Sequence, residues 1–464
     1  MTVLGPASEE ADGGRRVSRR AVGAWIMFDW ATQPHYTLVT TFVFAPYFAA
    51  RVAETPVAGQ AMWGYATGAA GVAIALLSPA LGAIADAGGS RKPWIAAFSL
   101  LLVAGAASLW FAEPGAEHAV AIALVGFAIA TIGAEFATVF TNSMMPDLVE
   151  EGRLGRLSGT GWAVGYVGGL VSLVAVLGLL VANPDSGLTL FGIAPILGLD
   201  PASFAGDRAS GPFSALWYAV FVLPLFLFTP DQPRRADLVD AVRRGLAGLK
   251  ATLVALKGHA NIGLYLLAHM IYADGLVALF AFGGIYAAGI FGWTSFELGL
   301  FGILLTITAT IGAIVGGRLD DRFGAKLVIL WALVLLTLAS IAILSVDAGH
   351  VGFVVAVEPA QSDGGLFAST GERVYLAIGA VIGALAGPVQ SASRSLMARI
   401  VPRDKTTEFF GLYALSGKLT SFVGPLAVGA VTAISQSQRI GISMLVLFFV
   451  VGAVLFLGVR PLRA

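Results

Sequence analysis

Four ionisable side chains stand inside stretches that are otherwise apolar. They are Asp29 in Phe28-Asp29-Trp30, Glu135 in Gly133-Ala134-Glu135-Phe136, Asp274 in Tyr272-Ala273-Asp274-Gly275, and Lys418 in Ser416-Gly417-Lys418. A charge in a hydrocarbon-like setting costs about 2.5 kcal/mol or more, so such groups face a cavity or a partner. Carboxylates placed this way can bind a cationic group or carry a coupling proton, and a lysine can take a carboxylate or a phosphate. The same residues could instead pair and fix helix packing, for example Asp274 with Lys418. As a set they point to function. His35 and His269 carry less, because a lone histidine on an apolar face is more often a satisfied packing residue. His269 precedes Asp274 by five residues, so the two do not share one helix face, and proton transfer is its alternative role. Tyr272, Gln390 and Tyr413 could donate hydrogen bonds to a solute or serve packing alone.

The elements that must position these groups are membrane helices. The chain is 57% hydrophobic and 12% charged, about half the charge of an ordinary globular protein, which excludes a soluble domain. Glycine, with 58 residues, suits close helix contacts in lipid. Cysteine is absent, so disulfides, thiolate metal sites and a cysteine nucleophile are excluded. Zero net charge gives no argument for nucleic acid. No metal cluster, phosphate loop or nucleophile–base set stands out, so neither an enzyme nor a cofactor is expected.

A span needs about 20 apolar residues. Twelve stretches qualify: 21–49, 60–85, 93–112, 118–142, 157–182, 213–229, 261–289, 294–316, 327–346, 373–397, 409–434 and 438–460. The sixth is short and interrupted by Pro224. With a cytoplasmic N-terminus, 23 of the 28 basic residues fall on the inner side, four outside (Arg51, Arg208, Arg373, Arg439) and Lys418 within a span. A missed helix would scramble that asymmetry, so the positive-inside rule supports twelve crossings with both termini cytoplasmic. Residues 1–20 read as a basic cytoplasmic tail, not a cleavable or twin-arginine signal. Residues 21–229 and 260–464 read as two six-helix bundles. Between them, 230–259 holds Leu238, Val239, Val242, Leu246, Leu249, Leu253 and Leu256 at helical spacing among basic residues, an amphipathic linker helix near the membrane surface. The outer loops 183–212 and 347–372 read as ordinary surface loops.

The two halves share a motif. Gly82, Asp86, Gly89 and Arg91 return as Gly317, Asp321, Gly324 and Lys326 in the frame G-x-x-x-D-x-x-G-x-[RK], with the aspartates 235 residues apart. Each copy joins two apolar runs. The pattern resembles the major facilitator superfamily, whose signature loop joins helices two and three and again eight and nine. The first copy departs from the usual pattern at Ala87, where arginine is common, while Arg322 keeps it. The glycines free the backbone for a short turn. The resemblance implies a latch: Asp86 or Asp321 would accept bonds from a helix N-terminus across the seam between bundles, or pair with an arginine. It also implies that helices one, four, seven and ten line a central path, which puts Asp29, Glu135 and Asp274 on cavity helices. Span five carries Gly161, Gly165 and Gly169, a small-residue ladder expected at the seam.

Longer segments narrow the resemblance: Phe28-Asp29-Trp30-Ala31, Asn142-Ser143-Met144-Met145-Pro146-Asp147, Gly155-Arg156-Leu157-Ser158-Gly159, Gln390-Ser391-Ala392-Ser393-Arg394, and Glu408-Phe409-Phe410-Gly411-Leu412-Tyr413 through Lys418. Over nearly all of 21–460 they resemble the bacterial relatives of the fungal vacuolar amino-acid effluxers, the autophagy-related effluxer family. An offset of 252 residues relates Asn142 to Arg394 and Gly159 to Gly411. Arg394 could contact an anion on the cytoplasmic side or cap its helix C-terminus.

What this implies is an all-α membrane protein of the major facilitator fold, moving a small polar solute, with amino-acid efflux as the borrowed substrate. Transport would proceed by alternating access, with protons as a coupling ion. A monomeric multi-pass protein of a bacterial inner membrane is expected. A lipid or lysolipid flippase on the same scaffold is the alternative.

Overall fold

Long runs of leucine, alanine, valine and glycine form helices because lipid offers no partner for backbone N–H and C=O groups. The computed structural model describes residues 17–183, 186–255, 260–293, 295–358, 366–418 and 420–460. The basic tail up to residue 16 and linker residues 256–259 lie outside them. Among the described residues, eleven helices are long and apolar enough to cross a bilayer. The first crossing completes the expected twelve as a composite. It runs as an α-helix over Arg19–Pro34, capped by the Ser18 side chain, then as π-helix over His35–Phe42 and Phe48–Val52 around the short helix Phe44–Tyr47. Pro34 marks the change from α- to π-helix, since proline removes a helical donor.

The other crossings follow punctuation in the chain. Thr55 caps and Pro56 opens the second, Pro56–Gly88. Ser369 and Glu372 form a capping box that opens the tenth, Thr370–Ile400. The third is Lys92–Ser108, the fourth Ala119–Ser143, the fifth Leu154–Leu179, the seventh Ala260–Phe291, the eighth Ser295–Phe323 and the ninth Ala325–Leu344. Two differ from the sequence expectation. The sixth begins at Ala205, inside the stretch read as a loop, and continues past a break as Leu223–Phe228, with Pro224 at the start of that second piece. The eleventh is broken into Thr406–Lys418 and Val423–Ser435. The twelfth ends in Met444–Leu457. In the outer loop before the tenth crossing, His350–Val351 pairs antiparallel with Val355–Ala356.

The first six crossings form one bundle and the last six another, and they meet along two seams. The second crossing packs on the eleventh, and the fifth packs on the eighth and tenth. The Gly161–Gly165–Gly169 ladder does not lie at the seam alone. A Cβ at Gly165 would stand 3.3 Å from the Asp29 carbonyl, and one at Gly169 would meet Gln33 and Thr37, so the ladder beds the first crossing. Gly161 does reach the seam, where a Cβ would lie 2.8 Å from Arg394, and Gly155 and Gly159 carry the backbone contact there. A Cβ at Gly317 would lie 2.6 Å from the Gly155 carbonyl and 3.1 Å from Gly159 Cα.

The linker forms the helix Leu238–Ala255. It rests on the second crossing, where a Cβ at Gly245 would lie 2.6 Å from Ile84 Cα. It is therefore docked on a membrane helix as well as amphipathic.

Candidate functional site

The motif aspartates sit inside the last turns of their helices. Gly89 (φ 88°) and Gly324 (φ 85°) then turn the chain, in a region that glycine alone enters without strain. Asp86 accepts the backbone N–H of Thr407 (3.1 Å) and Glu408 (2.8 Å), in the first turn of Thr406–Lys418 in the opposite bundle. Its other neighbour is Arg91 at 3.7 Å. One turn earlier, Gly82 leaves the space that Thr407 and Glu408 occupy. The second copy mirrors the first. Asp321 accepts the N–H of Arg156 (3.1 Å) in the first turn of the fifth crossing, again from the opposite bundle. It also pairs with Arg156 Nε (3.6 Å) and Arg399 (3.5 Å). Each aspartate thus places a negative charge against the positive end of a helix dipole across a seam.

The basic positions diverge. Arg91 is buried and reaches the opposite bundle, bonding Thr407 Oγ1 (3.1 Å) as well as Asp147 (3.2 Å). Lys326 stays within its own bundle, donating to the carbonyls of Leu457 (2.8 Å) and Val459 (2.6 Å).

Two acids near the turns escaped the sequence reading. Asp320 is 1% exposed and binds Ser395 Oγ and Arg399. The adjacent Asp320-Asp321 pair was its signal, since neighbouring helical residues face different partners. Asp231, just past the sixth crossing, accepts Ser90 Oγ (2.6 Å) and the N–H groups of Arg91 (2.9 Å) and Lys92 (3.0 Å). It caps the third crossing from the linker.

Deeper in the membrane two charge pairs span the seam. Arg394 does not end its helix, which runs on to Ile400, so it is not a C-terminal cap. Its guanidinium holds Asp29 at 3.0 Å, Asn142 Oδ1 at 3.3 Å, Ser158 Oγ at 2.8 Å and the Ser158 carbonyl at 2.7 Å. It lies over the rings of Trp25 (5.3 Å) and Trp162 (5.6 Å). Asn142 and Arg394, the residues related by the 252-residue offset, therefore touch. Lys418 pairs with Glu135 at 2.7 Å, not with Asp274. Glu135 also accepts the Tyr36 hydroxyl (3.2 Å), and Gln390 donates to the Tyr166 hydroxyl (2.9 Å) across the seam. The Lys418 side chain, 35% exposed, is the most open of these charges. These bonds lie between mid-depth and the turn-bearing end. Toward the other end, Phe42 faces Gly302 and is 47% exposed.

The remaining candidates bond within their own bundles. His269 Nδ1 meets Ser416 Oγ at 2.9 Å and its ring stacks near Tyr413 (4.2 Å). The Tyr272 hydroxyl meets Ser393 Oγ at 2.7 Å. His35 contacts Thr131 Oγ1 at 3.1 Å. Asp274 is 3% exposed and has no ion pair among the described residues.

A family model described as "Vacuole effluxer Atg22 like" matches residues 49–464. The uncharacterized MFS-type transporter YxiO of Bacillus subtilis is 24% identical over 436 residues, 93% of each chain. Autophagy-related protein 22 of Cryptococcus neoformans is 29% identical over 304 residues, which cover 64% of this chain and about half (51%) of that one. Among solved structures, the human organic anion transporter MFSD10 superposes with a TM-score of 0.68 at 16% identity, covering 94% of this chain and 99% of that chain. The transporter FucP in its outward conformation gives 0.67 at 15% identity, covering 95% and 98%. At these identities the structures show a shared fold, that of major facilitator transporters.

Proposed function

The chain belongs to the Atg22-like vacuole effluxer family and is a multi-pass secondary transporter, and we propose that it moves a small zwitterionic solute, an amino acid, by alternating access. The observation that carries this reading is the Lys418–Glu135 pair at 2.7 Å, one partner from each bundle, with the Lys418 side chain partly exposed. An ammonium beside a carboxylate, with the Tyr36 and Tyr166 hydroxyls and the Gln390 amide on hand, matches a solute carrying both charges. Its carboxylate would displace Glu135 from Lys418, and its amino group would take Glu135.

The turns act as latches on this reading. Asp86 and Asp321 hold one end shut through the opposing helix N-termini, and Arg394 with Asp29 seals the path above them. Rocking the bundles breaks these bonds and opens the charge-rich end. The basic residues gathered there favour a cytoplasmic position in a bacterial inner membrane, with both termini inside. The closed form is then open outward. The protein works as a monomer, exports its solute, and couples to protons through Asp29, Glu135 and Asp274.

A thermal-shift screen of purified protein against amino acids, sugars, peptides and lipids at two pH values tests the reading. The expected result is stabilisation by amino acids alone, lost in Lys418→Met and in Glu135→Gln. Stabilisation by lipids alone, or by amino acids equally in both variants, overturns it.

A further inference from the structure

The chain between the fifth and sixth crossings is not an ordinary surface loop. From Ser186 to Leu199 it carries no charged residue. Within that stretch Leu188, Leu190, Phe191, Ile193, Ile196 and Leu197 all stand exposed, Leu197 at 86%. Six large apolar side chains presented over ten residues mark a surface made to be covered. At the tip, Leu197 takes φ 62° inside the turn Ile196–Gly198. That region is easy for glycine and strained for leucine, so the backbone does not account for a leucine at this place.

The segment does not project away from the bundle. It folds back along the last turn of the fifth crossing, where Ala182 bridges Thr189 and the Leu190 N–H donates to the Leu177 carbonyl at 2.9 Å. The fifth crossing presents Val167, Val171 and Val174 on one exposed face, and at helical spacing the next place on that face is Gly178. There the helix has no side chain, and the Phe191 ring fills the space, since a Cβ at Gly178 would collide with it. Phe191 is itself 55% exposed, so it carries the apolar stripe of the crossing on into the loop. The sixth crossing packs against the same end through Ala209 and Phe213, and it exposes Leu216 and Val220. On membrane helices such faces are covered by lipid, and the loop is continuous with them. Its backbone suits that neighbour. The N–H groups of Gly187, Thr189, Leu190 and Gly192 donate to backbone carbonyls, and that of Leu188 to Ser186 Oγ. Most donors from Gly187 to Gly192 are thus met within the protein, as lipid requires.

We infer that residues 188–197 are seated in the membrane interface, in the leaflet away from the charged turns, with lipid as their partner. Their apolar side chains enter the boundary between headgroups and acyl chains, to the depth of about 5–10 Å that interfacial segments reach. The segment anchors the first bundle to that leaflet. The crossing it continues meets Asp321 at its opposite end, so the anchor holds a helix of the seam by its far end. None of this depends on a transported solute.

The test uses purified full-length protein in phosphatidylcholine vesicles. Single cysteines replace Leu190, Ile193 or Leu197 in a chain that has no cysteine of its own, and each carries a nitroxide label. Power saturation compares collisions with oxygen, which concentrates in lipid, and with a nickel chelate, which stays in water. A label at Leu216, 67% exposed midway along the sixth crossing, marks lipid. One at Glu54, exposed just before the second crossing, marks water at the same end of the protein. The oxygen-to-nickel ratio at Ile193 and Leu197 should stand several-fold above that at Glu54 and approach that at Leu216. A ratio at Leu197 equal to that at Glu54 overturns the inference. So does shielding of the label from both reagents, which would place a second copy or another protein over the patch. If one substitution prevents folding, the other two positions decide by the same criterion.

Discussion

Gly82→Ala should open the sealed end of the protein. The added Cβ would lie 2.8 Å from Glu408 Cα and from the Thr407 carbonyl carbon, where carbon–carbon contact needs about 3.5–4.0 Å. Both neighbours are backbone, so no rotamer change relieves the clash. Overpacking of this kind costs about 1–3 kcal/mol. The cost falls only on the state in which the second and eleventh crossings touch, so the open state is favoured about 5- to 150-fold. Gly71→Ala is the control. It lies on the same helix with nothing within 4 Å of its Cβ, and replacing a helical glycine there should stabilise by about 1 kcal/mol without bias between states. Because the chain has no native cysteine, spin labels can be placed cleanly on cysteines at Arg153 and Arg403, exposed residues of opposite bundles. Electron–electron resonance should show a longer distance population in Gly82→Ala and the parental distribution in Gly71→Ala. Unchanged distances in Gly82→Ala, or the same shift in both, would refute the reasoning.

Other outcomes follow from the same contacts. Asp86→Asn removes the charge facing the Thr406–Lys418 N-terminus, worth about 0.3–2 kcal/mol, and should move the label distances in the same direction as Gly82→Ala but less. Arg394→Met leaves the half-buried Asp29 without its cation and should cost up to about 3–5 kcal/mol; in unfolding measurements, adding Asp29→Asn should recover part of that loss, and strict additivity would contradict the pairing. Asp231→Ala removes the cap on the third crossing, at a cost of about 1 kcal/mol. Hydrogen exchange should then quicken at Arg91 and Lys92 and stay unchanged at Ala325 and Lys326.

Much of this architecture was legible in the residues. Apolar runs gave twelve crossings, and the repeated turn gave the two-bundle plan, because both depend on local composition and spacing. The breaks were less legible. A π-helical first crossing and an eleventh crossing interrupted near Thr420 depend on what packs beside them, and the second carries only a short local signal in Gly424-Pro425, which cannot continue the helical bonds. The latch partners of Asp86 and Asp321 were legible through the resemblance, but the charge partners inside the spans were not. Arg394 meets Asp29 across 365 residues of sequence, and Lys418 chose Glu135 over Asp274. Helical periodicity assigns a residue to a face, but not the distant helix that face will meet. The same limit hid that Gly165 and Gly169 bed the first crossing while Gly155 and Gly159, on the same helix, join Gly161 at the seam. Asp231 was hidden for a different reason: a carboxylate just past a helix end reads as an exposed breaker until its donors from Ser90, Arg91 and Lys92 are placed around it.

Reciprocal motion of the two ends is the central claim, and a second label pair measures it directly. Cysteines at Glu117 and Arg373, exposed residues of opposite bundles at the end away from the turns, report that end while those at Arg153 and Arg403 report the other. In Gly82→Ala the account predicts that the Arg153–Arg403 pair separates as the Glu117–Arg373 pair closes. If both pairs lengthen together, or the far pair does not respond, the bundles do not rock about a central site and alternating access is contradicted.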